Sequence, residues 1–172
     1  DEAHHVAALT WGRVKSAFKD KPCLQFTATP FREDNQPLDG KIIYNYPLKD
    51  AQIDGYFKAI EFHPVREYNL ELADQVVADK AVELLRNDRA QGFNHLLMVR
   101  ARSQTRAAAL FELYKQHEDL SPILIHSKVP NRAKLLGEIV EKKYKIIVCV
   151  DMLGEGFDLP ELKIAAIHDQ HR

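Results

Sequence analysis

From residue 70 to residue 168 the chain alternates helix-like amphipathic stretches with short runs that carry almost no polar residue. No other feature constrains the fold as much. Leu72, Val76, Val77, Ala81, Leu84 and Leu85 recur at helical spacing, which predicts a helix from about Leu70 to Ala90, ended by Gly92. His95–Val99 then reads as a buried strand, and Ser103 as the cap of a helix whose apolar face is Ala107, Leu110, Phe111 and Tyr114. Pro122–Ile125 is the next strand, and Pro130 opens a third helix carrying Ala133, Leu136, Ile139 and Val140. Tyr144–Val150 is a further apolar strand, a loop from Asp151 to Pro160 follows, and Ile164–His168 is the last strand. Continuous apolar strands separated by helices indicate an α/β fold, a parallel sheet with helices on both faces.

Ligands of such sheets bind beyond the carboxyl ends of the strands. That rule singles out Arg100 to Ser103, Ser127-Lys128, Asp151 to Asp158 and His171-Arg172. The residues before 67 read differently. A helix-like stretch, Val6–Phe18, precedes an apolar strand, Cys23–Phe26, which ends at Thr27-Ala28-Thr29-Pro30 because Pro30 forbids continuation in a central sheet. Polar residues 31–41 follow, then two short predicted strands, Ile42–Tyr46 and Phe57–Phe62, flanking a brief helix, Leu48–Ile53. The expected division is therefore 1–66 and 67–172.

Charge excludes one class of function. With 24 Lys+Arg against 25 Asp+Glu and a net charge of -1, the chain is no nucleic-acid binder acting by bulk attraction. A few well-placed cations would still suffice for phosphate contacts. No apolar run approaches the roughly 18 residues of a membrane span, and from Asp-Glu-Ala-His-His no signal peptide is expected. The two cysteines, Cys23 and Cys149, each sit in an apolar run and can build neither a disulfide framework nor a zinc site. A reducing, cytoplasmic setting is expected.

Three segments carry chemistry. Asp1-Glu2-Ala3-His4 offers adjacent carboxylates, one able to hold Mg²⁺ and the other to take a proton from water; it is equally an acidic, solvated stretch. Thr27 and Thr29 offer two hydroxyls at a strand end, although Thr-Pro after a strand is ordinary loop chemistry. Gly154 and Gly156 permit close backbone approach, with Asp151, Glu155 and Asp158 around them; a plain glycine-rich turn would look the same.

Together these segments resemble superfamily 2 helicases and translocases. Asp1-Glu2-Ala3-His4 looks like their motif II (the DEAH box), Thr27-Ala28-Thr29 like motif III, and Asp151 to Asp158 like motif V. Leu96 to Ser103 is similar to motif IV, Ile125-His126-Ser127-Lys128 to the strand end between motifs IV and V, and His171-Arg172 to the opening of motif VI. Phe31-Arg32 after Thr-Ala-Thr-Pro, and the phrase from Met152 to Pro160, are closest to the branch of type I and type III restriction-enzyme ATPase subunits and related DNA-repair helicases. No Gly-x-x-x-x-Gly-Lys-Ser/Thr phosphate loop is present, the motif VI arginine finger would lie beyond Arg172, and Val150 replaces a threonine that touches nucleic acid in many relatives.

The resemblance implies a RecA-like second lobe at 67–172 and the C-terminal part of a first RecA-like lobe at 1–66. It implies ATP and Mg²⁺ as cofactors of the intact protein and a nucleic-acid partner, DNA in this branch, with restriction or repair subunits as further partners. Carried over by motif, Asp1 would hold Mg²⁺ and Glu2 would be the general base. His4, Thr27 and Thr29 would couple the lobes, while Gly154, Glu155, Gly156 and Asp158 would face the nucleotide. Arg100, Arg102, Ser103, Ser127 and Lys128 are the candidates for nucleic-acid phosphates, with salt bridging as the competing role of the two arginines. Without the phosphate loop, the chain alone is expected neither to bind ATP tightly nor to hydrolyse it. The competing class is a non-catalytic RecA-like interaction or nucleic-acid-binding module, since fold does not fix function. A Rossmann-type binder lacks its glycine fingerprint, and the histidines show no helical ligand pair for a metal.

Overall fold

The structure, a computed structural model, describes residues 9–27, 40–150 and 159–169. Its residues group into two units, 1–61 and 62–172.

The first unit contains two short helices, α1 (Leu9–Ala17) and α2 (Leu48–Ile53). Ala51 of α2 is buried, and the Tyr46 hydroxyl donates to Asp54 Oδ2 at 2.5 Å just past the end of that helix. The strands expected at Cys23–Phe26, Ile42–Tyr46 and Phe57–Phe62 do not form. Ile42, Ile43 and Tyr44 are instead 71–77% exposed. Apolar β-formers mark where a ladder suits the chain, but a ladder also needs a neighbouring backbone, which local sequence cannot provide.

In the second unit the predicted alternation is realised. Helix α3 (Leu70–Ala90) leads to β1 (Leu96–Arg100), α4 (Gln104–Lys115), β2 (Pro122–Ile125), α5 (Arg132–Val140), β3 (Ile146–Cys149) and β4 (Leu162–Ile167). The four strands form one sheet in the order β2-β3-β1-β4, and every pair is parallel. Helix α3 buries Ala78, Ala81, Val82 and Leu85, an i, i+3, i+4, i+7 stripe, whereas Leu72 at its start is half exposed. Gly92 ends the helix at φ +87°, with Phe93 N–H bonded to Asp88 O and Gly92 N–H to Arg89 O. This pair of bonds is a Schellman motif, and it explains the need for glycine there.

Alternate strand residues face opposite sides, and the sheet is covered on both faces along β1, β2 and β3, whereas edge strand β4 leaves Lys163, Ala165 and Ile167 exposed. One face presents Leu97, Val99, Ile146, Val148 and Ala166 to α3 and α4; the other presents Leu96, Ile123, Ile125, Ile147 and Cys149 to Leu135, Leu136 and Ile139 of α5. Each fully buried Ile, Leu or Val contributes about 1.5–3 kcal/mol, so β3, buried at all four positions, is the hydrophobic centre. Strand β4 lies at one edge. Its register slips between Leu96 and Leu97, which pair with Leu162 and Ile164 and leave Lys163 as a bulge. Because all four strands run the same way, their carboxyl ends share one edge.

Candidate functional site

Along that edge the structure brings together the loops that follow β1 and β2. Strand β1 ends at Arg100, Ala101 turns inward and is fully buried, and its N–H donates to Cys149 O of β3 at 2.9 Å. Arg102 and Ser103 follow, both exposed. Ser103 is the N-cap of α4, as its sequence position suggests: its backbone is extended and its hydroxyl accepts from Arg106 N–H at 3.2 Å. That bond satisfies one of the open amides of the helix N-terminus, and the remaining ones favour an anion nearby.

The loop after β2 places Ser127 and Lys128 on the surface. Although β3 separates β1 from β2, the two loops meet, since Gln104 Nε2 donates to Ser127 Oγ at 3.4 Å. Lys128 N–H is turned toward His126 Nδ1 at 3.3 Å. Arg100 at the end of β1, with Arg102, Ser103, Ser127 and Lys128 on two adjoining loops, thus gather at one edge, three cations and two hydroxyls between them. Val150, where β3 runs out, is half-buried against the core and presents no hydroxyl.

The other sequence-selected residues divide differently. Asp1, Glu2, His4, Thr29, Gly154, Glu155, Gly156, Asp158, His171 and Arg172 lie outside the described residues. Thr27 is described, half-buried within the first unit. Among the described residues no group of His, Cys, Asp and Glu could hold a metal ion, and no helix is long and apolar enough to cross a membrane.

The most organised polar feature among the described residues of the second unit carries no motif in the sequence. The guanidinium of Arg106 on α4 forks onto Asp74 of α3, with both N···O distances 2.6 Å, and its Nε donates to Asp169 Oδ1 after β4 at 3.0 Å. Asp169 Oδ2 in turn accepts from Arg102 N–H at 3.2 Å. His168 continues the network inward: its Nδ1 lies 3.0 Å from Asp74 Oδ1 and its Nε2 lies 2.8 Å from the Tyr114 hydroxyl. An ionised Asp74 can only accept, so the imidazole proton sits on Nδ1 and the tyrosine donates to Nε2.

Electrostatics agree with that assignment. Hydrogen bonding to Arg106 holds the Asp74 carboxyl below its usual range against the effect of burial, with a further contribution from His168. Burial pushes His168 below the ordinary histidine value, with Asp74 pulling the other way, and burial pushes the Tyr114 phenol up. For Asp169, burial acts to raise the carboxyl, but bonds from Arg106 and the Arg102 amide outweigh it and the net direction is down. A signal for this network exists in the sequence only as isolated polar residues, Asp74, Arg106 and Tyr114 on helices and His168 and Asp169 after the last strand. Partners separated by 32 to 94 residues leave no local pattern.

The first 32 residues match the family described as type III restriction enzyme, res subunit. A 51.5 kDa protein of Lactococcus phage (isolate 7-9) is 24% identical over 97% of this chain and 41% of its own length. The ATP-dependent RNA helicase SUB2 of Coccidioides immitis (strain RS) is 28% identical over 90% of this chain and 33% of that protein. The protein of the same description from Aspergillus terreus is 28% identical over 87% of this chain and 33% of its own length. The chain therefore spans between 33% and 41% of the relatives it matches. Among solved structures, one described as Mss116p DEAD-box helicase domain 2 bound to an RNA duplex is similar at a TM-score of 0.42 and 19% identity, over 53% of this chain and 37% of that one.

Proposed function

We propose, with kinship to superfamily 2 helicases from these sequence matches as the premise, that the chain is part of an ATP-dependent motor that moves on nucleic acid. In this reading residues 67–172 are its second RecA-like lobe and residues 1–66 belong to the first. Restriction-enzyme or DNA-repair type is the branch we assign, with DNA as the polymer, on Thr27-Ala28-Thr29-Pro30-Phe31-Arg32 and the phrase from Met152 to Pro160. In the intact protein Asp1, an oxygen donor of the kind Mg²⁺ takes, would hold the metal, Glu2 would be the general base, and Gly154, Glu155, Gly156 and Asp158 would face ATP. Bound there, the nucleotide and metal supply phosphoryl-transfer chemistry; the described residues account for the grip on nucleic acid.

The observation that carries this reading is the joining of the β1 and β2 loops at the carboxyl edge, which gathers Arg102, Ser103, Ser127 and Lys128 around the capped N-terminus of α4, with Arg100 at the end of β1. Cations and helix amides on a rigid sheet edge bind phosphates without reading bases, which is what stepping along a strand requires. Fluorescence anisotropy with labelled single-stranded DNA and RNA tests it. Three phosphate contacts give a salt slope near −2 for a single strand, so affinity should fall by roughly 20-fold between 50 and 200 mM salt. Replacing Arg102 and Lys128 with alanine should weaken binding and flatten the slope. Affinity indifferent to salt, or to both substitutions, overturns the assignment; tighter binding of RNA than DNA overturns the choice of polymer.

A further inference from the structure

The end of β1 and the loop after it supply three of the five candidate phosphate contacts, and a buried carboxylate lies directly against the loop backbone. We propose that Asp169 is a positioning residue for that loop: held by Arg106, it fixes the Arg102 amide and so presents Arg100–Ser103 to nucleic acid in one conformation. The proposal rests on the function proposed above.

Three successive points of the loop are tied down. Ala101 N–H is bonded to Cys149 O of β3, Arg102 N–H to Asp169 Oδ2, and Ser103 Oγ accepts from Arg106 N–H. One residue, Arg106, holds two of the three, since its amide reaches Ser103 while its side chain reaches Asp169. The Asp169 side chain is only 8% exposed, so it is no ligand for solvent cations, and its two oxygens are divided between Arg106 and the loop. Arg106 is kept from swinging toward a phosphate by its fork onto Asp74. A loop ordered before binding loses less entropy when it binds, which raises affinity without any new contact.

Charge alone argues the other way, and this makes the proposal testable. A carboxylate near a phosphate site repels phosphate, so if Asp169 acted only through its charge, both Asp169→Ala and Asp169→Asn would tighten binding. If it acts by holding the Arg102 amide, the two variants part company. Asparagine keeps an acceptor oxygen for that N–H, while its NH2 cannot accept from Arg106, so it loses less than alanine and stays within about threefold of the parent for a single-stranded oligonucleotide. Alanine weakens binding about five- to tenfold, the size of one lost hydrogen bond.

Hydrogen exchange gives a second, ligand-free readout. The amides of residues 101–103 should exchange faster in Asp169→Ala while those of β1 and β3 stay protected. Tyr114→Phe serves as the stability control, because it removes the hydroxyl bonded to His168 and leaves the Asp169–Arg102 contact in place. It should lower the melting temperature without weakening binding. The proposal fails if Asp169→Ala binds as the parent does, if Tyr114→Phe weakens binding equally, or if exchange at 101–103 is unchanged. Should the parent chain bind no oligonucleotide at all, the functional reading falls, and the exchange measurement still decides whether Asp169 holds the loop.

Discussion

Replacing Arg106 with alanine should destabilise the second unit more than any other single polar substitution. The side chain makes two 2.6 Å bonds to Asp74 and one 3.0 Å bond to Asp169, and both it and Asp74 are 25% exposed. Removing one partner of a fully buried pair costs about 3–5 kcal/mol, because a charge is left without compensation. Here partial access to water relieves some of that, and two carboxylates rather than one are stranded, so about 2–3 kcal/mol is expected. For a unit of this size that corresponds to a fall of roughly 10–20 °C in Tm. Circular dichroism at 222 nm is a suitable assay, because α3, α4 and α5 with 21, 12 and 9 residues outweigh α1 and α2 with 9 and 6. A cycle of Arg106→Ala, Asp74→Ala and the double variant should show a coupling of at least about 1 kcal/mol. A Tm within 2 °C or so of the parent, or additive effects in the cycle, would refute the view that this network joins α3, α4 and the end of β4.

Acid should unfold the same region early. His168 has its folded value depressed, so between that value and about 6.5 the unfolded chain binds the extra proton, and stability falls as pH drops below about 6.5. Asp74 and Asp169, also depressed, add a further loss as pH falls through the carboxylate range. Tm should thus decline from pH 7 to pH 4, with the upper part of that slope flattened in His168→Gln; a Tm that rises on acidification contradicts the assignment. Thiol titration should separate the two cysteines: exposed Cys23 reacts at once, and Cys149, 1% exposed on β3, reacts only as the protein unfolds. Limited proteolysis should cut first within residues 1–65, where Ile43, Ile60 and Phe62 are 73–85% exposed, and leave a folded remainder. First cleavage inside residues 95–168 would count against that order of stability.

What residues 70–167 say about themselves is local, and for that reason it was readable in the sequence. The helical stripe of α3, the Gly92 stop, the Ser103 cap and the unbroken apolar run of β3 each depend on neighbours within a few residues. Parallel pairing then follows from strands that are almost wholly apolar, of which β1, β2 and β3 need cover on both faces. The five candidate phosphate residues were found by the same logic, as the polar residues that follow apolar strands. Strand order was a different matter: that β1 lies between β3 and β4, so that the β1 and β2 loops meet only across β3, is set by how helices of particular length and stripe pack on the sheet. The apolar segments at 23–26, 42–46 and 57–62 show the limit from the other side, since each has β-forming residues and none has a ladder. The Tyr114–His168–Asp74–Arg106–Asp169 network was invisible for a related reason: its members come from three elements far apart in the chain, and only burial converts ordinary polar residues into obligatory partners. Periodicity and caps are properties of the backbone's near neighbourhood, whereas register, strand order and buried polar pairing exist only once distant segments exclude water together.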